Sequence, residues 1–277
     1  MLIHPSLTLL FLYIRFSSRA QEGEVSPKIK RKKFVILIDM KDIINQIHQK
    51  LKTKAKPLSP KNLEKARQFM GPEFQSYGIN MAEVYKIIKK IYLEHENSLD
   101  LSKAYQISEE LIKSPIFDEK TAAFSFIAHF QKDFNEDTLR IFRKWFEKYV
   151  NNWGTCDSFC LKVIGPFLKD NPELVPKLED WSKSKNLWVK RASLVGVLKI
   201  SRYLKPNYIL KRAEPFMETK EPFLQKAVGW LLKESSKWHK KEVVDFLLKW
   251  KKKTSRLVLR YATEKVDQKT REKVLKR

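Results

Sequence analysis

One carboxylate, Asp157, follows Trp153 by a helical turn, and the positions equivalent to it further along the chain carry bases, Arg191 and Lys226. An acid, two bases and indole faces gathered on one strip could hold a polyanion and stabilise positive charge as it forms. The register behind this grouping comes from four segments: Thr121-Ala122-Ala123-Phe124, Cys156-Asp157-Ser158-Phe159, Lys190-Arg191-Ala192-Ser193 and Gln225-Lys226-Ala227-Val228. Their small residues at 123, 158, 192 and 227 are 35, 34 and 35 positions apart. Ala122, Asp157, Arg191 and Lys226 directly precede them, and equivalent positions of stacked repeats lie side by side on one surface. Trp153 lies four residues before Asp157, Trp188 three before Arg191 and Trp230 four after Lys226, all spacings that share a helical face.

The elements that must position these residues are helices. From Leu101 onward amphipathic segments recur in pairs, without two-residue alternation, separated by breaks at Ser114-Pro115, Asn135-Glu136-Asp137, Asp170-Asn171-Pro172, Lys205-Pro206-Asn207 and Glu221-Pro222. These breaks supply caps and first-turn prolines for the helices that follow. A repeat near 35 residues predicts an all-α, right-handed solenoid of antiparallel HEAT-like hairpins, each burying its apolar side on the next, with a basic concave face.

Composition supports both the class and the partner. The chain has only 7 Gly and 12 Pro in 277 residues, which leaves room for long helices, and 43% hydrophobic residues, which excludes a disordered tail. Fifty-six Lys and Arg against 32 Asp and Glu give a net charge of +24, a self-repulsion that a polyanionic partner would relieve. Nucleic acid is favoured over the other readings of such a charge, an anionic membrane surface or adaptation to heat.

Each residue also has a plainer reading. Asp157 could cap the helix after Asn151-Asn152-Trp153-Gly154, or form a structural pair with Arg191. Arg191, Lys190 and Lys226 are phosphate contacts or solvated charges. Lys251 to Lys253, with Ser255, Arg256 and Arg260, read as a further DNA-contact cluster or as a solvated helix end. Trp145, Trp181, Trp238 and Trp250 are assigned to packing. Cys156 and Cys160 are read as small packed residues in a reducing, cytoplasmic setting, because no second ligand pair accompanies them. The five histidines lack metal-ligand spacing, and no phosphate-cradling glycine loop or serine elbow is found, so neither metal nor cofactor is expected.

Residues 1–39 stand apart as an extension, either disordered or a mis-assigned start, with 40–277 as the folded domain. Leu7 to Ile14 has the size of a signal-peptide core and Ser18 and Ala20 could form a cleavage pair, but no Lys or Arg precedes it and it is too short to span a bilayer.

The segments Asn152-Trp153-x-x-x-Asp157-Ser158, Leu187-Trp188-Val189-Lys190-Arg191-Ala192 and Gln225-Lys226-Ala227-Val228-Gly229-Trp230 resemble the AlkD-like DNA alkylation repair family of HEAT-like repeat glycosylases. The resemblance runs from about Pro60 to Val266 and includes Tyr77-Gly78-Ile79; it departs at Gly154, where relatives commonly carry an acid. It implies hydrolysis of the N-glycosidic bond of cationic N3- and N7-alkylated purines, such as 3-methyladenine and 7-methylguanine, in double-stranded DNA. Asp157 would be the catalytic carboxylate, Trp153 and Trp230 aromatic walls around the damaged nucleotide, and Arg191 a clamp on the DNA backbone. A DNA-associated monomer without a membrane is expected.

Elementary electrostatics agrees with that assignment. A cationic base leaves as a neutral one and needs no general acid, so one carboxylate suffices. At about 4 Å and an effective dielectric near 20 it would stabilise charge on the sugar by up to roughly 4 kcal/mol, on the order of a thousandfold in rate. A non-catalytic DNA-binding scaffold and a protein-binding adaptor remain the alternatives on sequence grounds.

Overall fold

The structure is a computed structural model that describes residues 39–276. The extension expected at the N-terminus therefore lies outside the described residues, except Asp39, whose side chain accepts from the Lys41 amide and caps the first helix, α1 (Met40–Thr53). Beyond it come α2 (Pro60–Met70), α3 (Met81–His95), α4 (Leu101–Lys113), α5 (Phe117–Ile127), α6 (Glu136–Tyr149), α7 (Trp153–Phe159) and α8 (Gly165–Asp170). The series continues with α9 (Glu179–Ser182), α10 (Leu187–Val195), α11 (Pro206–Ala213), α12 (Pro222–Ser236), α13 (Lys240–Trp250), α14 (Arg256–Ala262) and α15 (Gln268–Leu275). Among the described residues there is no strand, only one isolated bridge between Gln75 and Ile116.

The protein is thus an all-α stack of helical pairs. One row runs α5, α7, α10, α12, α14, each packed on the next, and α4, α6, α9, α11, α13 and α15 pack behind it. The four small residues of the sequence register, Ala123, Ser158, Ala192 and Ala227, all fall on this row. The expected punctuation also forms: Asn135 caps α6, while Pro206 and Pro222 occupy the first turns of α11 and α12.

The row is less regular than its spacing suggests. After α7 the chain makes a π-helical turn, Cys160–Ile164, before α8, and after α10 it tightens into a 3-10 segment, Leu198–Tyr203. Pro166 carries no amide hydrogen to continue the ordinary ladder, and the Gly165 amide reaches back five residues to the Cys160 carbonyl.

Aromatic rings join the layers. Phe159 of α7 stacks on Phe124 of α5 with ring centres 4.4 Å apart and meets Phe142, Trp145 and Phe146 of α6. Trp145 and Trp181 are buried as expected, and Trp250 is half-buried. Trp238 corrects the expectation of packing: it lies in the turn after α12, where no further layer covers it, and 56% of it is exposed. Cys156 and Cys160 are both buried free thiols.

A second buried carboxylate serves the backbone. Asp118, in the first turn of α5, accepts from Ser76 Oγ at 2.7 Å, Tyr77 N at 2.8 Å and Ile79 N at 3.1 Å. Glu119 beside it accepts from the Tyr77 hydroxyl at 2.6 Å. The loop between α2 and α3 is thereby fastened to the start of α5. Gly78 is required there, since its φ is +74° and a Cβ would stand 2.0 Å from the Lys56 carbonyl oxygen.

Candidate active site

Asn152 starts α7: its side-chain oxygen accepts from the Thr155 amide at 2.8 Å, which leaves Asp157 free of capping duty. Trp153 opens the helix and Asp157 follows one turn later, so both side chains enter the same cleft. That cleft has a volume of about 720 Å³. The first half of the chain contributes Met70 of α2, Phe74 of the fastened loop, Met81 and Tyr85 of α3, and Phe117 of α5. The second half contributes Trp153, Asp157, Leu161, Lys162, Lys199 and Trp230. Asp157 is the one carboxylate among the described residues that line it.

Asp157 is 6% exposed and Arg191 4%, and the two meet in a bidentate pair: Arg191 Nε donates to Oδ1 at 2.8 Å and Nη2 to Oδ2 at 2.7 Å. Arg191 Nη1 donates to the Phe223 carbonyl at the start of α12. Three helices of the row, α7, α10 and α12, are joined through this one guanidinium. Burial pushes the Asp157 carboxyl above its ordinary value, and the hydrogen bonds and charge of Arg191 pull it only part of the way back. Of the two plainer readings of Asp157, the geometry is that of the pair rather than the cap. The Arg191 side chain, expected on the DNA backbone, is engaged within the protein in this structure.

The two indoles are held differently. Trp153 donates its Nε1 hydrogen to the Phe69 carbonyl at 2.6 Å, joining α7 to the end of α2. Gly154 makes this approach possible: a Cβ there would stand 2.2 Å from Met70 Cε and 2.9 Å from its sulfur. The space beside Gly154 is thus filled by Met70, which lines the cleft. Trp230 reaches the cleft from the middle of α12 and is half-buried.

Other residues singled out in the sequence lie elsewhere. Trp188 is half-buried with its ring 5.3 Å from that of Phe223 and does not line the cleft. Lys190 is half-buried and Lys226 exposed. Ser255 caps α14 by accepting from the Val258 amide, Arg256 donates to the Leu275 carbonyl at 3.3 Å, and Arg260 is exposed. Lys251 donates to the Lys273 carbonyl. None of these lines the cleft.

Two cations in the cleft were missed in the sequence. Lys162 lies in the π-helical turn with its ammonium 4.4 Å from the centre of the Tyr85 ring, and burial lowers its pKa, with the charge of Lys199 adding to the effect. A signal existed: Lys162 is four residues past Ser158 and Lys199 seven past Ala192, so extending the register by one and two turns reaches both. Met70, Phe74, Met81 and Tyr85 had no such signal, because they precede the first repeat of the register.

A row of stacked helical pairs with one acid, indoles and lysines in its cleft defines a helical-repeat protein suited to an anionic partner. Residues 47–266 match the model of the family described as DNA alkylation repair enzyme, and the chain belongs to that family. Its role accordingly lies in DNA repair. The fold is similar to the predicted DNA alkylation repair enzyme of Enterococcus faecalis, at 19% identity and a TM-score of 0.68, over 76% of this chain and 97% of that one. It is similar as well to AlkD2 of Streptococcus mutans, at 20% identity and a TM-score of 0.59, over 83% of this chain and 100% of that one. No curated protein sequence matches. No helix among the described residues is long and apolar enough to cross a membrane.

Proposed function

We propose that this protein is a monofunctional DNA glycosylase that hydrolyses the N-glycosidic bond of cationic N3- and N7-alkylated purines, acting as a cytoplasmic monomer on double-stranded DNA. The observation that carries the reading is Asp157, the one carboxylate among the described residues lining a cleft whose other side chains are mainly apolar, aromatic and cationic. The bond between C1′ and the base nitrogen breaks with its electron pair going to the base, which leaves neutral. Positive charge passes to the sugar, water adds at C1′, and its surplus proton goes to solvent. Lys162 and Lys199 suit the flanking phosphates, while Trp153 and Trp230 present faces that attract a cationic nucleotide by roughly 0.5–2 kcal/mol each.

The arginine changes the expected magnitude. With its guanidinium behind the carboxylate, the sugar meets a dipole whose negative end faces the cleft rather than a bare charge. Taking the counter-charge at about twice the distance halves the attraction to about 2 kcal/mol, roughly thirtyfold in rate. Arg191 acts here as a positioning residue: it orients both oxygens and favours the ionised form that burial opposes. Of the DNA contacts expected from sequence, Lys190, Lys226, Trp188, Ser255, Arg256 and Arg260 are proposed as outlying contacts to the duplex on either side of the damaged nucleotide.

A non-catalytic DNA-binding scaffold is favoured by one observation, the near-neutralisation of Asp157 by Arg191. Release of free bases from methylated duplex DNA by the purified protein decides between the two. The glycosylase reading expects 7-methylguanine and 3-methyladenine in solution and unmodified bases left in place. Salt-sensitive binding without any released base would establish the scaffold.

A further inference from the structure

We propose that Arg202, Tyr203 and Trp238 form a stacking platform for unpaired bases of a DNA strand leaving the cleft. The proposal rests on the reading of the cleft as a DNA site. Tyr203 is 59% exposed and Trp238 56%, unusual for two large aromatic side chains brought together from separate elements. Arg202 joins them, its guanidinium 4.5 Å from the centre of the Tyr203 ring and 5.3 Å from that of Trp238. Rings that share one cation in this way are held in place while remaining open to solvent.

The cluster and the cleft share one segment of the chain. Lys199 lines the cleft and belongs to the same 3-10 segment as Arg202, three residues on. In that geometry residues i and i+3 eclipse, so Arg202 continues directly from Lys199, about 6 Å further along. Neither cation forms an ion pair among the described residues, although Lys237, next to Trp238, is paired with Glu234. The platform is also rigidly mounted. The Trp238 and His239 amides both donate to the Ser235 carbonyl, and the His239 ring lies 3.1 Å from the Leu204 carbonyl oxygen, tying the turn after α12 to the end of the 3-10 segment.

Open aromatic faces beside unpaired cations match a nucleic-acid strand: the cations meet phosphate and the rings meet base faces, without preference for sequence. In an intact duplex those faces are covered by neighbouring bases. The occupant is therefore a strand whose bases are unpaired, as at a gap, a bubble or a helix loosened beside damage. A protein partner with an acidic surface would use the arginine and lysine but has no need of the two open rings.

The test compares affinities for a labelled short single strand and for its duplex, using the wild-type chain and the variants Tyr203→Ala, Trp238→Ala, the double variant and Trp238→Phe. All replace exposed side chains, so circular dichroism should show the fold intact. The expected result is about a tenfold loss of single-strand affinity for each alanine variant, a larger loss for the pair, near-complete retention for Trp238→Phe, and no more than about a threefold loss for duplex. Unchanged single-strand affinity in the double variant would overturn the platform, as would equal losses on both DNAs. Base release by the wild type is scored separately: its absence, with the single-strand losses observed, removes the glycosylase reading and leaves the platform standing.

Discussion

Two buried acids, Asp118 and Asp157, lie in successive helices of the same row and carry out opposite tasks. Asp118 is surrounded by donors from its own chain, a hydroxyl and two amides, and is consumed in holding the loop between α2 and α3. Asp157 has one partner, Arg191, and lines an open cleft. Burial and negative charge are common to both. What differs is the company: backbone donors leave Asp118 nothing to offer, whereas a guanidinium on one side of Asp157 leaves the other side directed at whatever enters. The comparison also links the two, because the loop that Asp118 fastens carries Phe74, part of the cleft opposite Asp157.

Stability measurements can break this contrast. Asp157→Ala strands a buried guanidinium and should cost about 3–5 kcal/mol in urea unfolding. Replacing both partners, Asp157→Leu with Arg191→Met, should recover most of that, since no buried charge is then left alone. Asp118→Ala removes an acceptor from three donors that water can partly reach, and a smaller cost of about 2–3 kcal/mol is expected. If the double replacement were as unstable as Asp157→Ala, the pair would be contributing more than mutual neutralisation.

Acidity offers a subtler test. Burial raises the Asp157 carboxyl, so it takes up its proton at a higher pH than a free aspartate. Activity that needs the ionised form is complete above that folded value and lost as the pH falls through it. For stability the sign is reversed: a raised carboxyl contributes stability below its unfolded pKa, and that contribution is lost as the pH rises through the folded one. Arg191→Gln removes the group that opposes burial, so the acid limb of base release should move to higher pH while the wild-type limb lies lower. An unmoved limb would mean that Arg191 does not control the carboxylate.

The row of helices was legible because small residues must recur wherever helices approach closely, and Ala123, Ser158, Ala192 and Ala227 recur at nearly constant spacing. Trp153, Asp157 and Trp230 were legible for the same reason, since register places equivalent positions on one face. Periodicity reports which face a residue occupies, however, and not what it meets there. It offered the pairing of Arg191 with Asp157 as one of two plainer readings, and could not show that the same guanidinium also donates to the Phe223 carbonyl, or that Trp238 falls in an exposed turn after α12. Lys162, one turn past Ser158, lay within reach of the same register, whereas Met70, Phe74, Met81 and Tyr85 come from α2, its following loop and α3, ahead of the repeat that supplied it.

The most direct test of the account is single-turnover release of 7-methylguanine from methylated duplex DNA by Asp157→Asn and Asp118→Asn, compared at equal folded concentration. The account predicts a loss of at least about thirtyfold for Asp157→Asn, with duplex affinity retained, and release within about threefold of wild type for Asp118→Asn. Wild-type rates in Asp157→Asn, or equal losses in both variants, would contradict it.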